Sequence, residues 1–268
     1  MGHTRLGEVP KTRKWNEIVR QVAGSGLARD LSAAPTNIGA IAAQTLDAAQ
    51  KGLDRAAKDA GVRYTFYLLA QIAVASRADN WARLLAQHGI HLSDNSTVFD
   101  FTAQVEEAID LYVRRSSSGA TDLSEIAQQS AGEALTSLAG SRTLSMFEGG
   151  SADLKNALYS LSTKKGFAEL GQRFFGRFIA RFLNFYLSRV TAAAVGGQRL
   201  RNLGDVAEFN DALRAHCDQS ALIVRDFCGQ WYSKTQYREG IDLKNTSGFL
   251  AVAMNKLRHE LAQQRAVL

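Results

Sequence analysis

The sequence contains little cysteine, little proline and no long apolar run. Cys217 and Cys228 are the only cysteines among 268 residues, which excludes a scaffold held together by disulfides. Pro10 and Pro35 are the only prolines, so 233 residues follow without the residue that most strongly ends helices. The longest stretch without a charged residue, 31–46, has 16 residues, whereas a membrane-spanning helix needs about 20 predominantly apolar ones.

The first 20 residues also lack the apolar segment that a secretory signal requires. We therefore expect a cytoplasmic protein with reduced thiols.

Alanine is abundant, with 40 copies, and apolar residues make up 46% of the chain. Because alanine has the highest helix propensity, this composition predicts an all-α fold, which we expect to be an irregular bundle of eight to ten helices. Ser116 to Gly119 has the composition of a linker. It would divide an N-terminal helical subdomain, 1–118, from a C-terminal one, 119–268, although the chain length also allows a single domain.

Helix boundaries follow from capping residues and from Gly. Thr12, Asn37, Thr163 and either Thr121 or Asp122 are predicted helix starts, and the helix that follows Asn37 is expected to run to about Gly61. Asp205 with Glu208 has the capping-box spacing and predicts a helix that reaches Phe227. The segment WYSKTQYREG, 231–240, is predicted to be a loop.

Positive charge is concentrated in one part of the chain. The whole chain carries a formal charge of +6, yet residues 155–204 alone hold nine basic residues against Glu169. Residues 94–133 hold eight acidic residues against two arginines. The molecule is therefore electrostatically polarised.

The basic segment contains an unusual helix. On a helical wheel, residues 167–190 place phenylalanines and other apolar side chains on one broad arc, which predicts burial of most of the helix. Arg173, Arg177 and Arg181 follow one another at i, i+4 and i+8 on the remaining narrow sector, and we call them the arginine ridge. Glu169 is the one acid at a spacing that reaches this ridge, through Arg173.

Three interpretations of the arginine ridge remain open. The acidic segment 94–133 can pack across it, or the arginines can simply face water. Alternatively the protein's own carboxylates leave the ridge uncovered, and the ridge, with Lys164, Lys165, Arg199 and Arg201, binds an external polyanion, nucleic acid first and an acidic protein second. An anionic membrane surface is the third candidate, but the apolar arc is wide for a helix that lies on lipid.

Two other basic segments are candidate contact surfaces. Aromatic and basic residues alternate in the predicted loop, as they do in sites that stack single-stranded nucleic acid, and the candidates there are Trp231, Tyr232, Lys234 and Tyr237. The alternative is that Trp231 and Tyr232 belong to the core. Residues 1–14 are predicted to be a basic arm with Arg5, Lys11, Arg13 and Lys14, which is either ordinary disordered chain or a segment that contacts a partner or a phosphate backbone.

Catalytic and metal-binding motifs are missing from the sequence. No serine-nucleophile, phosphate-loop or dinucleotide-binding motif occurs, and His216, Cys217 and Cys228 lack the partners that a zinc site needs. The acid and lysine of EGIDLK, 239–244, would need strands around them to form a nuclease site. We therefore expect a non-enzymatic binding or adaptor subunit of a larger assembly, with no cofactor.

Two further hypotheses concern function. A membrane-active effector would release the phenylalanine-rich helix from the fold. An accessory role in a bacterial multi-protein system, such as an anti-phage system, is a hypothesis that no residue supports.

Overall fold

The structure, a computed structural model, describes residues 6, 10–24, 37–117, 119–143 and 150–263. These residues form twelve α-helices and no strand beyond an isolated bridge between Val195 and Leu200. The helices are α1 (Arg13–Ala23), α2 (Ile38–Ala48), α3 (Gln50–Ala56), α4 (Ala60–Ala75), α5 (Trp81–Ala86), α6 (Val98–Arg115), α7 (Asp122–Gly140), α8 (Ser151–Leu161), α9 (Lys164–Ala193), α10 (Leu203–Ser220), α11 (Leu222–Arg238) and α12 (Leu243–Gln263). The all-α prediction is confirmed, but the expected eight to ten helices are too few.

The two additional helices arise from breaks at alanines. The predicted helix from Asn37 to Gly61 is divided at Ala49, where φ is −98° and ψ is 10°. The predicted helix that ends at Phe227 is divided at Ala221, where φ is −70° and ψ is −8°. Ala221 keeps helical angles, whereas Ala49 leaves the helical region. Neither break carries the Gly or Pro by which sequence patterns reveal a helix end.

Several predicted helix starts are confirmed by their side-chain hydrogen bonds. Thr12, Asn37 and Thr163 each accept a bond from a backbone N–H of the first turn, and Thr121 forms a capping box. The start predicted at Asp205 is wrong, because Asn202 is the N-cap and accepts from the N–H of Asp205.

The longest helix, α9, lies at the centre of the fold and packs against α7, α10 and α11. Five of its phenylalanine rings are fully buried: Phe167, Phe174, Phe175, Phe178 and Phe182. They continue into an aromatic cluster with Phe66 of α4, Trp231 of α11 and Phe249 of α12. Gly171 and Gly176 let the neighbouring helices approach closely, because a Cβ at either position would collide with Cys228 or Asp218.

The core continues across residue 118. One cluster of buried side chains includes residues from both sides of it, α4 packs against α7, and α12 packs against α2 and α4. Within the expected linker, Ser116 donates its backbone N–H to the carbonyls of Tyr112 and Val113 at the end of α6, and Gly119 adopts a φ of 64°. Residue 118 lies outside the described residues. The division into two subdomains stays a prediction.

Candidate anion-binding site

The arginine ridge lies in a channel whose floor is α9 and whose walls are α7 and α10. Arg177 is only 12% exposed, whereas Arg173 and Arg181 are each 36% exposed. The broad apolar face predicted for α9 is in the core, as expected. Because that face is wide, the narrow polar sector that remains lies between the two neighbouring helices. The arginines therefore project from the core edge into a partly enclosed space.

Glu133 of α7 is the main carboxylate in this channel. Its Oε1 lies 3.1 Å from Arg177 Nε and 3.3 Å from Nη1 of Arg214, a residue of α10. Its Oε2 lies 3.1 Å from Arg181 Nη2. One carboxylate thus faces three guanidinium groups.

Asp218 of α10 supplies the second carboxylate. Its Oδ2 lies 3.2 Å from Arg177 Nη1 and 3.6 Å from Arg173 Nη1. Arg177 consequently bridges Asp218 and Glu133, which connects α10 to α7 across α9. The hypothesis that the arginine ridge is uncovered is wrong, because each of its guanidinium groups lies within ion-pair distance of a carboxylate from this chain.

The acidic segment 94–133 contributes only part of this neutralisation. Glu133 is its last residue, and Gln129 accepts a hydrogen bond of 2.9 Å from Arg181 Nη1. Burial raises the pKa of Glu106, from the same segment, and the nearby charge of Arg181 acts against that shift. Asp218, by contrast, lies far outside the segment.

Glu169 does not serve the ridge as its spacing suggested. Its carboxylate lies 2.7 Å from Arg142 and 3.3 Å from Arg225, which approach from the end of α7 and from α11. Six arginines therefore share three carboxylates along one side of α9. We call this set the α9 strip: Arg142, Arg173, Arg177, Arg181, Arg214 and Arg225 with Glu133, Glu169 and Asp218.

Burial works against the charged forms in the middle of the α9 strip. It lowers the pKa of Arg177, although Asp218 and Glu133 both favour its charged form. Burial likewise raises the pKa of Asp218, although three neighbouring arginines favour the carboxylate. The attraction between these groups therefore does not fully compensate for the loss of water around them.

The hydrogen bonding of the α9 strip is incomplete. Nε and Nη1 of Arg177 and Nε of Arg181 are buried without an acceptor in hydrogen-bonding geometry, so the ion-pair distances of Arg177 are not accompanied by aligned bonds. Beside them is a pocket of about 110 Å³, also lined by Asn184, Asn210 and Arg214. The side-chain oxygens of both asparagines are buried there without a partner.

Of the four predicted flanking residues, two lie beside the α9 strip. Lys164 and Lys165 are exposed at its N-terminal end and line a pocket of about 580 Å³ with Arg225 and Asp226. The other two follow the far end of α9, a helix about 45 Å long at 1.5 Å per residue. There Arg199 donates to the carbonyl of Gln21 at 3.0 Å, and Arg201 pairs with Asp205 at 3.2 Å.

The predicted loop at 231–240 is wrong, because α11 continues through it to Arg238. Tyr232 is fully buried and stacks on Phe167 with ring centroids 4.2 Å apart, and Trp231 stacks on Phe249 at 4.5 Å. These two rings anchor a helix whose other face is polar. Only Lys234 and Tyr237 of the four candidates are exposed, and they do not form a stacking surface with the buried rings.

The basic arm is only partly described. Arg5 lies outside the described residues, Lys11 is exposed, and the other two basic residues of the arm belong to α1. Of these, Lys14 pairs with Asp47 at 2.7 Å and Arg13 lies 4.0 Å from Glu17.

The minor sequence motifs have structural explanations. Cys217 and Cys228 are buried free thiols, and the described residues contain no group of three His, Cys, Asp or Glu side chains able to hold a metal ion. Asp242 of EGIDLK accepts from the N–H of Asn245, an N-terminal bond of α12, and helices rather than strands surround it.

Sequence reasoning missed five members of the α9 strip: Arg142, Arg214, Arg225, Glu133 and Asp218. Arg214 and Asp218 are spaced i, i+4 in a predicted helix, a signal that a charged face exists. That spacing does not reveal which neighbouring helix this face meets.

Comparisons with protein-family models, curated proteins and solved structures found no match to this chain. Among the described residues, no helix combines the length and the apolar character needed to cross a membrane. The phenylalanines of α9 are in the core, so a membrane-active role would require this central helix to leave the fold.

Proposed function

We propose that the chain is a non-enzymatic binding subunit whose α9 strip holds an anionic partner, with nucleic acid as the first candidate and an acidic protein as the second. The observation that supports this proposal most directly is the ratio of six arginines to three carboxylates. With Lys164 and Lys165 added, and with Glu106, Asp211 and Asp226 counted against them, cations still outnumber carboxylates.

Unused donors give the proposal its chemical basis. Six guanidinium groups carry about thirty N–H donors, whereas three carboxylates offer about twelve acceptor sites. Arg214 is 47% exposed and Arg225 is 37% exposed, so their free N–H groups are accessible from solvent. Phosphate oxygens match the fork of a guanidinium group, so they would accept hydrogen bonds from the N–H groups that Arg214 and Arg225 expose.

The dimensions of the α9 strip suit an extended polyanion. Lys164 and Arg181 are separated by about 26 Å along α9. This length corresponds to about seven or eight steps of a duplex at 3.4 Å each. A partner bound here would contact phosphates rather than base edges, because the strip offers charge without a protruding reading element.

The test is binding of a fluorescein-labelled 20-base-pair DNA duplex, followed by anisotropy between 50 and 200 mM salt. We expect the logarithm of the binding constant to fall linearly with the logarithm of salt concentration. The double variant Lys164→Gln/Lys165→Gln should bind more weakly, with a slope smaller by about 1 for each lysine that contacts a phosphate. Both lysines are exposed and outside the ion pairs described above, so the variant should stay folded.

The matched control is Lys51→Gln/Arg83→Gln, which removes the same charge from exposed positions on α3 and α5. It should bind nearly as well as the wild type. Equal binding by the control and the Lys164→Gln/Lys165→Gln variant, or no salt-dependent binding at 50 mM salt, would overturn the proposal for nucleic acid. Repeating the titration with poly-glutamate distinguishes an acidic protein from a nucleic acid.

A further inference from the structure

A groove on another side of the molecule lies between α3, the start of α4 and α12. It has a volume of about 1110 Å³ and is open to solvent. One face of α12 forms much of it, since α12 buries its opposite face in the core. The groove-facing residues of α12 recur at helical spacing: Lys244, Ser247, Gly248, Ala251, Val252, Asn255 and Arg258.

Gly248 distinguishes this groove from an ordinary helix surface. Glycine inside a helix is unfavourable relative to alanine, so it usually reflects close approach by another part of the structure. At Gly132, Gly171 and Gly229, for example, an added Cβ would lie within 3.0 Å of a packed neighbour. An added Cβ at Gly248 would meet no atom within 4 Å. No described part of this chain therefore requires glycine at that position.

The lining of the groove combines apolar and basic groups. Ala57, Ala251 and Val252 expose apolar surface, with Val252 46% exposed, above the buried side chains of Leu53 and Met254. The charged lining residues are Lys58, Arg63, Lys244 and Arg258 against one acid, Asp54, which lies 3.5 Å from Arg258. An apolar floor with a basic border complements an amphipathic segment that carries acidic residues.

We propose that this groove is the docking site for an acidic amphipathic helix of a partner protein. The helix would place its apolar stripe against Val252 and Ala251 and its carboxylates near Lys58 and Lys244. A small residue of the partner would approach the backbone at Gly248. The groove-facing stretch of α12 from Lys244 to Arg258 is about 21 Å long, which corresponds to about 14 residues of a partner helix.

This inference is independent of the α9 strip, because the two surfaces share no residue. It also concerns a different partner chemistry, in which apolar contact is as necessary as charge. Loss of peptide binding in groove variants therefore does not affect the duplex-binding test. Loss of duplex binding in the lysine variant likewise does not affect the peptide-binding test.

The test uses a displayed library of 14-residue helical peptides, with random residues on the apolar stripe and on its flanks, selected against the full chain. We expect enrichment of sequences that have Asp or Glu on the flanks and a small residue in the stripe. An enriched peptide is then synthesised and titrated by anisotropy. Gly248→Leu and Lys58→Glu/Lys244→Glu should each weaken its binding at least tenfold. The controls Ala262→Leu, on α12 outside the groove, and Lys51→Glu/Arg83→Glu should not.

Gly248→Ala should change the stability of the free protein and its affinity for the peptide in opposite directions. In the free protein it should raise the Tm by roughly 2 °C, because alanine favours the helix and the space is empty. The same variant should weaken peptide binding, because the added methyl group blocks close approach. A purely structural role of Gly248 predicts a lower Tm instead.

Four outcomes would overturn the proposal. The first is a Gly248→Ala variant with a lower Tm, which would mean that this chain itself fills the space. The second is a selection whose enriched peptides bind wild type and Gly248→Leu equally. The third is a concentration-dependent dimer that Gly248→Leu abolishes, which would assign the groove to a second copy. The fourth is duplex DNA binding that only the groove variants abolish.

Discussion

Replacing Glu133 by glutamine tests whether the carboxylate of α7 stabilises the arginines around it. Glutamine preserves the size of the side chain but removes the charge that faces Arg177, Arg181 and Arg214. The guanidinium groups of these three residues would then lie close together. The remaining carboxylate would be Asp218, which pairs with Arg173 and Arg177. We expect the folded state to be destabilised, because the positive charges repel one another and are partly removed from water.

The expected loss follows from the exposure of the groups. Removing one partner of a buried ion pair costs about 3 to 5 kcal/mol, whereas exposed pairs contribute about 0.2 to 1 kcal/mol. Glu133 is 25% exposed and its partners range from 12% to 47%, so the pairs lie between these limits. We expect the free energy of unfolding to fall by about 2 to 3 kcal/mol and the Tm by roughly 5 °C.

Urea denaturation followed by circular dichroism measures this change. The control is Glu107→Gln on α6, an exposed residue whose replacement should alter the free energy of unfolding by less than about 0.5 kcal/mol. If Glu133→Gln is as stable as the control, the ion pairs around Glu133 contribute nothing and our account of the α9 strip is wrong.

The same variant has a second expected effect under the proposed function. Without Glu133, the arginines lose an internal competitor for phosphate, so Glu133→Gln should bind the labelled duplex more tightly while being less stable. A variant that loses both stability and affinity would contradict the idea that carboxylate and phosphate compete for the same donors.

Three further predictions concern buried polar groups. Burial raises the pKa of the Cys217 and Cys228 thiols, so neither should react with Ellman's reagent at pH 8 until urea unfolds the chain. Burial lowers the pKa of His216 below its usual value, so just below pH 6.5 the unfolded state binds more protons than the folded state and stability should fall from pH 7.0 to pH 5.5. Urea titrations at both pH values should show a smaller decrease for His216→Gln. The hydroxyl of Tyr232 is buried without a partner, so Tyr232→Phe should keep or increase the free energy of unfolding, measured in the same way. A clear loss of stability in Tyr232→Phe would indicate that the hydroxyl forms a bond.

The parts of the fold that sequence predicted correctly depend on neighbours along the chain. The N-cap at Thr163 and the apolar arc of α9 are local patterns, because helical periodicity and capping involve residues within a few positions of one another. Such patterns are readable without knowing the tertiary arrangement. They predicted that most of α9 is buried and that the three arginines of the ridge share one sector.

The parts that sequence did not predict depend on contacts between distant residues. Arg177 meets Glu133 and Asp218, which are 44 and 41 positions away, and no periodicity within α9 identifies them. The net charge of segment 94–133 identified an acidic region. However, only one carboxylate from that region, Glu133, lies beside Arg177, and the other, Asp218, comes from outside it. The loop predicted around Trp231 failed for a related reason, since contacts with Phe249 and Phe167 stabilise a helix whose own pattern is weakly amphipathic.

The glycines of α9 affect how this helix can form during folding. Gly166, Gly171 and Gly176 each lower intrinsic helix stability by about 1 kcal/mol relative to alanine, and each faces a neighbour too close to admit a Cβ. A free peptide with the sequence of α9 would therefore have less helix than its length suggests. Complete helix formation must await the docking of α8, α10 and α11, so the central helix of the molecule is finished together with its surroundings rather than before them.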